Sequence, residues 1–294
     1  MNGVGALPPL RDVIARYGLS AKRGLGQNFL LDLNLTRRIA RAAGPLEGAT
    51  IIEVGPGPGA LTRALLLEGA QHVIGIERDR RCIDALHELS DAAQGRFEVI
   101  EADALEIDER LLLKDKALHG PVKIVANLPY NISTALLVKW LQTEPWPPWY
   151  ESLTLLFQKE VAARLRAAPN SKAYGRLSVL TQWRMTTQAL FDIDPRAFTP
   201  APKVTSTLMR LEPRPAPLAE GELKLLSEVT GAAFGQRRKM LRSSLASLNV
   251  DVSLLAEAAH ISQTVRAENL SIAQFCALSR ALSTLRTSMR KETG

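Results

Sequence analysis

Short apolar runs alternate with amphipathic stretches between residues 50 and 130. The apolar runs predict four buried strands, at 51–54, 72–76, 97–100 and 122–126. Apolar positions at helical spacing predict helices between them, at 61–67 and 80–89. Strands that alternate with helices form a parallel sheet with both faces covered, so this pattern predicts an α/β domain.

The pattern continues beyond residue 150 with a fifth strand and a closing pair of strands. The strands are predicted at 152–157, 187–193 and 207–211, with helices at 159–165 and 177–183. We therefore expect a Rossmann-like sheet of seven strands, most of them parallel. Ligands of such sheets bind at the carboxyl ends of the strands.

A proline-rich segment at 212–217 predicts a stiff linker. Beyond it only helices are predicted, at 223–234, 238–248, 252–259 and 271–285, with Ser271 as the N-cap of the last. These patterns predict two domains, an α/β domain over residues 1–215 and a small helical domain over residues 216–294.

Composition narrows the classes of function. Lys and Arg number 37 and Asp and Glu 30, a net charge of +7 that suits a polyanionic partner such as nucleic acid. The two cysteines form no CxxC motif and the four histidines are scattered, so we expect no metal site. We also expect no membrane span, no secretory signal and a cytoplasmic location. The pair Pro8-Pro9 disfavours the amphipathic helix of a mitochondrial presequence.

Residues 55–60 read Gly-Pro-Gly-Pro-Gly-Ala and lie between a predicted strand and a predicted helix. Glycines there let the backbone turn tightly and approach a ligand closely. The pattern fits the G-x-G-x-x-G/A turn, which alone does not separate NAD from S-adenosylmethionine. A glycine-rich turn without any ligand would give the same pattern.

Two acidic residues strengthen the interpretation of a cofactor site. Glu77 ends the second strand, 22 positions after Gly55, where a carboxylate accepts both ribose hydroxyls of a nucleotide. Asp103 follows the third strand, where an acceptor suits the amino group of a cofactor adenine. Each could be a solvated carboxylate at a strand end, but three strand ends with suitable groups favour a nucleoside ligand.

The sequence Asn127-Leu128-Pro129-Tyr130 follows the fourth strand and predicts chemistry on an exocyclic amine. The amine of adenine is a poor nucleophile because its lone pair is delocalised into the ring. The Asn127 side-chain oxygen and a main-chain carbonyl of Leu128-Pro129 can accept its two N–H groups. Tyr130 offers a ring on which an extruded base can stack. The alternative is a plain turn, since Asn and Pro are common turn formers.

Five motifs in this order resemble the family of ribosomal RNA small-subunit (16S) adenine dimethyltransferases of the kasugamycin-resistance type. They are residues 26–30 (GQNFL), 53–57 (EVGPG), 127–134 (NLPYNIST), 198–204 (FTPAPKV) and 236–239 (QRRK). The resemblance covers the chain from about Lys22 to Leu282. It implies S-adenosylmethionine as cofactor and dimethylation of two adjacent adenosines in the hairpin loop near the 3′ end of 16S rRNA. It also implies a monomer that acts on the immature small ribosomal subunit.

The resemblance also implies roles for individual residues. It implies that the cofactor is contacted by six residues: Asn28, Leu30, Gly55, Glu77, Asp103 and Asn127. Phe198 matches a position that helps to hold the target base against Tyr130. From its own surroundings Phe198 would be interpreted as a core aromatic beside a proline-rich loop.

A basic cluster made of Arg237, Arg238, Lys239 and Arg242 is predicted to start a helix and to bind RNA phosphates. No acidic residue lies within it. A second cluster, Arg37, Arg38 and Arg41, fits a phosphate-binding surface and a solvated helix face equally well.

Three rival functions stay open from the sequence. One is a methyltransferase of the macrolide-resistance type, which acts on large-subunit RNA and shares the glycine and Asn-Pro-Tyr-like motifs. Another is an assembly or transcription factor that keeps the fold and binds nucleic acid without turnover. A dehydrogenase rests on the glycine motif alone and predicts that NAD raises the melting temperature.

Overall fold

The computed structural model describes residues 3–21, 24, 26–116, 118 and 120–292. Lys22, from which the resemblance runs, lies outside the described residues. The chain divides into two compact units, one of Met1–Lys159 with Gln188–Glu212 and one of Glu160–Thr187 with Pro213–Gly294. The second unit resumes at Pro213, close to the predicted boundary at 215. It also contains Glu160–Thr187, which the prediction assigned to the first domain.

Seven strands form one sheet and two short strands form another within the described residues. The strands are β1 Phe29–Leu30, β2 Thr50–Val54, β3 His72–Glu77, β4 Phe97–Glu101, β5 Val122–Ala126, β6 Ser152–Gln158, β7 Met185–Ile193, β8 Phe198–Thr199 and β9 Ser206–Pro213. The large sheet has the order β4-β3-β2-β5-β6-β9-β7, and β1 pairs with β8. The first five strands of that order are parallel, and β9 is antiparallel to β6. The predicted mostly parallel seven-stranded sheet is confirmed.

The central strands are apolar because both of their faces are covered. Every residue of β2 and of β5 is buried, as expected for the middle of a doubly covered parallel sheet. Val54 is the register partner of Ile76, and Ile52 is the partner of Ile124. The carboxyl ends of β2, β3 and β5 therefore lie side by side, and the segments that follow them meet at one edge of the sheet.

Twelve α-helices lie within the described residues. They are α1 Leu10–Arg16, α2 Leu33–Ala42, α3 Ala60–Leu67, α4 Arg80–Ala93, α5 Glu109–Asp115, α6 Tyr130–Leu141, α7 Lys159–Leu165, α8 Arg176–Arg184, α9 Leu223–Gly235, α10 Leu241–Ser244, α11 Val252–Ala258 and α12 Ile272–Glu292. Asp32, Asp79, Asp108 and Asp251 cap the N-termini of α2, α4, α5 and α11 with their carboxylates. None of these helices is long and apolar enough to cross a bilayer.

The helices of the second unit agree with the prediction except around residue 238. The hydroxyl of Ser271 accepts from the Gln274 backbone N–H at 3.2 Å, which confirms Ser271 as a cap. The helix predicted at 238–248 is wrong at its start, because residues 236–239 form a turn and α10 begins at Leu241. Met240 is extended and bridges to Arg266, so the backbone leaves helical geometry there. Four residues of α10 are followed by a 3-10 turn, Leu245–Leu248.

Candidate active site

Three glycines of the turn after β2 have φ angles in the left-handed region of the backbone. The φ angles are +68° at Gly55, +55° at Gly57 and +88° at Gly59, values that other L-residues rarely adopt. A Cβ on Gly57 would lie 3.1 Å from the Phe29 ring, and one on Gly59 would lie 2.9 Å from Leu89. The turn therefore requires glycine for both conformation and space, and it presents bare backbone to the cleft beside it.

Glu77 is held rigidly at the end of β3 by three backbone N–H groups. Gly57 donates to one carboxylate oxygen at 2.9 Å, and Arg78 and Asp79 donate to the other at 2.9 and 2.8 Å. Burial raises the pKa of Glu77, and the three backbone hydrogen bonds oppose that rise. A carboxylate oxygen accepts more than one hydrogen bond, so Glu77 keeps capacity for ribose hydroxyls.

Asp103 lies at the rim of the same cleft, in the segment that follows β4. Arg78 donates to one of its oxygens at 2.9 Å, and the Leu105 N–H donates to the other at 2.9 Å. Sequence reasoning missed Arg78, which lines the cleft beside Glu77.

Lys139 of α6 fixes the segment that carries Asp103. Sequence reasoning also missed this lysine. The Lys139 amine donates to the carbonyls of Ala104 and Ile107 at 2.8 and 2.5 Å. It also pairs with the buried Glu109 carboxylate at 2.9 Å. The sequence gives no indication of this network, because its members are far apart along the chain.

The GQNFL segment packs against the NLPY segment. Gly26 has φ +63°, and a Cβ on it would lie 2.4 Å from the side-chain oxygen of Asn131. Gln27 donates to the Asp79 carboxylate at 3.1 Å. The guanidinium of Arg81 lowers the pKa of Asp79 to about 2, so Asp79 stays an acceptor at neutral pH. Asn28 and Leu30 line the cleft.

The Asn127 amide is oriented by the neighbouring segment. Its Nδ2 donates to the Asn28 carbonyl at 2.9 Å, which leaves the Oδ1 atom as the acceptor for a ligand. The Pro129 carbonyl already accepts the N–H groups of Ile132 and Ser133 at 3.1 Å each, as the first turn of α6. Of the two candidate main-chain acceptors, the Leu128 carbonyl is therefore the better one.

Tyr130 begins α6 at the edge of the cleft. Its hydroxyl shares a 2.5 Å hydrogen bond with the Ser206 hydroxyl of β9. Burial raises the pKa of Tyr130, so it remains a neutral phenol at physiological pH. The hydroxyl is thus used to fix the ring, and the ring itself borders the cleft.

Phe198 lies in the hydrophobic core beside the cleft. Its side chain is 3% exposed and packs in the hydrophobic core with Leu30, Ile193 and Leu208. It is not among the residues that line the cleft. Phe198 is the register partner of Leu30, so β8 pairs with β1, whose residues line the cleft.

Glu53 is a further acidic residue of the cleft that sequence reasoning quoted only as part of a motif. It is 2% exposed, and its carboxyl accepts from the Thr62 hydroxyl at 2.6 Å. Burial raises the pKa of Glu53 to about 8. An acidic residue next to the end of a buried apolar strand is the sequence signal that would have identified Glu53.

Together these residues line one cleft with an empty volume of about 1080 Å³, counted with its part open to solvent. Bare glycine backbone, a carboxylate at the end of β3 and a second one at the rim fit an S-adenosyl nucleoside. Asn127 and Tyr130 line the same cleft. Within the described ranges no three His, Cys, Asp or Glu side chains converge as metal ligands would.

The basic cluster of the second unit is only partly exposed. Arg238, Lys239 and Arg242 are exposed to solvent. Arg237 instead pairs with Glu268 at 3.0 Å and donates to the Ser171 carbonyl at 3.1 Å, so the expected free cation is engaged within the unit.

The N-terminal cluster is engaged as well. Arg37 and Arg41 pair with Glu68 at 2.5 and 2.7 Å. Arg38 stacks over the Phe191 ring at 3.9 Å. These contacts favour the interpretation of a structural helix face over a phosphate-binding surface.

Comparisons with known proteins agree with this geometry. The sequence model of a family described as "Ribosomal RNA adenine dimethylase" matches residues 18–284. A relative from Xanthobacter autotrophicus, "Ribosomal RNA small subunit methyltransferase A", is 60% identical over 98% of both chains. A relative of the same name from Azorhizobium caulinodans is 58% identical over 97% of both chains.

Two solved structures share the fold. The crystal structure of the 23S rRNA methyltransferase ErmE superposes with a TM-score of 0.62 at 27% identity, over 87% of this chain and all of that chain. A dimethyladenosine transferase from Plasmodium falciparum superposes with a TM-score of 0.68 at 22% identity, over 85% of this chain and 96% of the other.

Proposed function

Because the chain belongs to the ribosomal RNA adenine dimethylase family, we propose that its substrate is small-subunit (16S) rRNA. The chain is an S-adenosylmethionine-dependent rRNA adenine-N6,N6-dimethyltransferase. The proposed target is the pair of adjacent adenosines in the hairpin loop near the 3′ end. The name shared by relatives of 58–60% identity supports the small-subunit target.

When bound, S-adenosylmethionine supplies a methyl group on a positively charged sulfonium. Glu77 accepts hydrogen bonds from the ribose hydroxyls, and Asp103 accepts one from the adenine amine of the cofactor. Gly55 brings bare backbone against the ligand, and Asn28 and Leu30 close the opposite wall. The three N–H groups on Glu77 support this assignment, because they fix its carboxylate before the ligand arrives.

Asn127 and Leu128 bind the amine of the target adenine. The Asn127 Oδ1 atom and the Leu128 carbonyl each accept one N–H, which draws the nitrogen toward tetrahedral geometry and frees its lone pair. Pro129 holds the direction of the Leu128 carbonyl, because the Pro129 carbonyl is itself fixed by the hydrogen bonds of the first turn of α6. Tyr130 holds the base by its ring. The sulfonium carries positive charge already, so the transfer depends on alignment more than on a strong base.

Arg238, Lys239 and Arg242 are proposed to contact RNA phosphates from the second unit. They are exposed and carry no ion pair in the described part of the chain. We propose domain limits of 1–215 for the methyltransferase and 216–294 for the RNA-binding part, with Glu160–Thr187 packed in the latter's unit. We further propose a cytoplasmic monomer that acts on the immature small subunit during ribosome biogenesis.

The single observation that carries the mechanism is the hydrogen bond from Asn127 Nδ2 to the Asn28 carbonyl, because it orients the amide oxygen as an acceptor. The substrate is tested by methyl transfer from radiolabelled cofactor to immature small subunits and to naked 23S rRNA. We expect label in dimethyladenosine of 16S rRNA only. Label in 23S rRNA alone would contradict the proposal and favour the macrolide-resistance type.

A further inference from the structure

Asp79, the N-cap of α4, is buried, whereas the aspartate caps of α2, α5 and α11 are exposed. Asp79 is 6% exposed, and Asp32, Asp108 and Asp251 lie at the surface. Each of these exposed caps accepts two backbone N–H groups of its helix, which is the usual role of such a residue. Within the described part of the chain, Asp79 accepts one backbone N–H of α4, that of Arg81 at 3.3 Å. Much of its carboxylate is therefore available to partners outside the helix cap.

Two side chains bind that carboxylate. The Gln27 amide donates to Oδ2 at 3.1 Å. The Arg81 guanidinium donates to Oδ1 at 3.0 Å and to Oδ2 at 2.7 Å. Gln27 therefore donates to a paired carboxylate, and a hydrogen bond to an ionised group is stronger than one between neutral groups. Arg81 also donates to the Ser20 carbonyl at 3.2 Å, so Ser20 and Gln27 are both anchored at the start of α4.

Gln27 directly precedes the residue that orients the Asn127 amide. The Asn28 carbonyl accepts from Nδ2 of Asn127 at 2.9 Å. Only a few rotatable backbone bonds separate the Gln27 side chain from the Asn28 carbonyl, because each peptide unit is planar. Anchoring Gln27 therefore restricts where that carbonyl lies. The amide that follows β5 thus depends on a residue that follows β3.

We propose that Asp79 is a positioning residue for methyl transfer. Its hydrogen bond from Gln27 holds the Asn28 carbonyl in place, and that carbonyl keeps the Oδ1 atom of Asn127 turned toward the target amine. The backbone N–H of Asp79 also donates to Glu77 at 2.8 Å, so one residue links the ribose-binding carboxylate to the amide acceptor. The inference rests on the proposed role of Asn127.

Gln27→Met tests this link, because it keeps the length of the side chain and removes its donor. The cap of α4 and the ion pair between Asp79 and Arg81 stay intact. We expect single-turnover methyl transfer to immature small subunits, at saturating cofactor, to slow about tenfold. Saturation removes the effect of weaker cofactor binding, so the rate reports the alignment of the target amine. A native rate would overturn the proposal.

Asp251→Ala is the matched control for the loss of a hydrogen bond by a capping aspartate. It removes the cap of α11 in the second unit and no contact at the cleft. It should lower the melting temperature and keep the native rate. An equal loss of rate in this control would assign the effect of Gln27→Met to stability and refute the link.

A double-mutant cycle separates positioning from direct contact, because Gln27 itself lines the cleft. Asp79→Ala removes the acceptor of Gln27. If Gln27 acts through Asp79, the double variant should be no slower than Asp79→Ala alone. Losses that multiply would show that Gln27 acts on the cofactor or substrate by itself, against the proposal. The single variant Gln27→Met decides the matter if Asp79→Ala fails to fold.

A spectroscopic readout separates this inference from the proposed function. The side-chain amide resonance of Asn127 is identified by its disappearance in Asn127→Ala, in the isotope-labelled full chain without substrate. We expect Gln27→Met to shift this resonance toward that of a solvent-exposed amide, and Asp251→Ala to leave it unchanged. An unshifted resonance in Gln27→Met would contradict the inference, whether or not the proposed RNA substrate is correct.

Discussion

The chemistry of individual residues explains why the cleft needs no strong base. Asn127 and the Leu128 carbonyl are acceptors, and Tyr130 is a neutral phenol whose hydroxyl is occupied by Ser206. In the proposed mechanism these groups align the target amine, which is the main requirement when the methyl group already resides on a cation. Asn127 and Tyr130 line the cleft, whereas Phe198 lies in the core, which its sequence motif does not indicate.

Tyr130 is expected to act by its ring rather than by its hydroxyl. Tyr130→Phe keeps the stacking surface and should retain methyl transfer within a few-fold. Tyr130→Ala should lose activity by about 10- to 100-fold, the effect of roughly 1–3 kcal/mol of stacking. Single-turnover methyl transfer at saturating cofactor measures both. Equal loss in the two variants would show instead that the hydroxyl matters.

Glu53 also makes the stability of the cofactor-free protein depend on pH. Its pKa is raised from 4.5 to about 8, so between these values the folded state binds more protons than the unfolded state. The free energy of unfolding should therefore fall as the pH rises through this window, by on the order of 4 kcal/mol.

Denaturant unfolding from pH 5 to pH 8 measures this dependence, with Glu53→Gln as the control. The variant should show a much flatter profile over the same range. A steep fall in both proteins would assign the effect to other groups.

At the scale of elements, the apolar pattern predicted what repeats along the chain. Strands β2 to β6 and the closing pair are confirmed because burial on both faces leaves a clear apolar run. Residues 238–240 were mistaken for the start of a helix because the cause of the turn there lies elsewhere in the chain. Arg237 bonds to Ser171 and Glu268, and Met240 bridges to Arg266. Contacts between such distant positions leave no local pattern.

Lys139 links α6 to the segment that carries Asp103. Lys139→Met keeps the apolar length of the side chain but removes the donors to the Ala104 and Ile107 carbonyls. We expect cofactor binding to weaken about tenfold, because the rim carboxylate is then less well placed. Lys116→Met, which removes the ion pair with Glu98, is the matched control and should bind normally. Titration calorimetry compares them, and normal binding by both variants would contradict the role.

The basic cluster of the second unit is expected to contain both structural cations and cations that contact RNA. Arg237→Ala should lower the melting temperature by about 2–4 °C and leave the salt dependence of RNA binding unchanged. Arg238→Ala should keep the melting temperature and make the slope of log K against log salt shallower by about 0.7–0.9. Thermal melts and RNA titrations at several salt concentrations decide this. A shallower slope for Arg237→Ala would show instead that Arg237 contacts an RNA phosphate.

At the scale of the whole molecule, the chain combines a cofactor unit with a second unit that carries exposed positive charge. The net charge of +7 is only a weak indication of an RNA partner by itself. It becomes specific when it is combined with a cleft that fits the cofactor, membership of the adenine dimethylase family and relatives named for the small subunit. The sequence indicated the cofactor and the reaction because both depend on short contiguous motifs, whereas the RNA surface depends on which cations the fold leaves unpaired.

The most direct test of the account is mass spectrometry of 16S rRNA from cells that lack the gene and carry either the native chain or Asn127→Ala. We expect the native chain to restore dimethyladenosine at two adjacent positions near the 3′ end. Asn127→Ala should restore none, because the amine loses an acceptor that only this side chain supplies. Full dimethylation by Asn127→Ala would contradict the mechanism, and unmodified 16S rRNA with the native chain would contradict the proposed substrate.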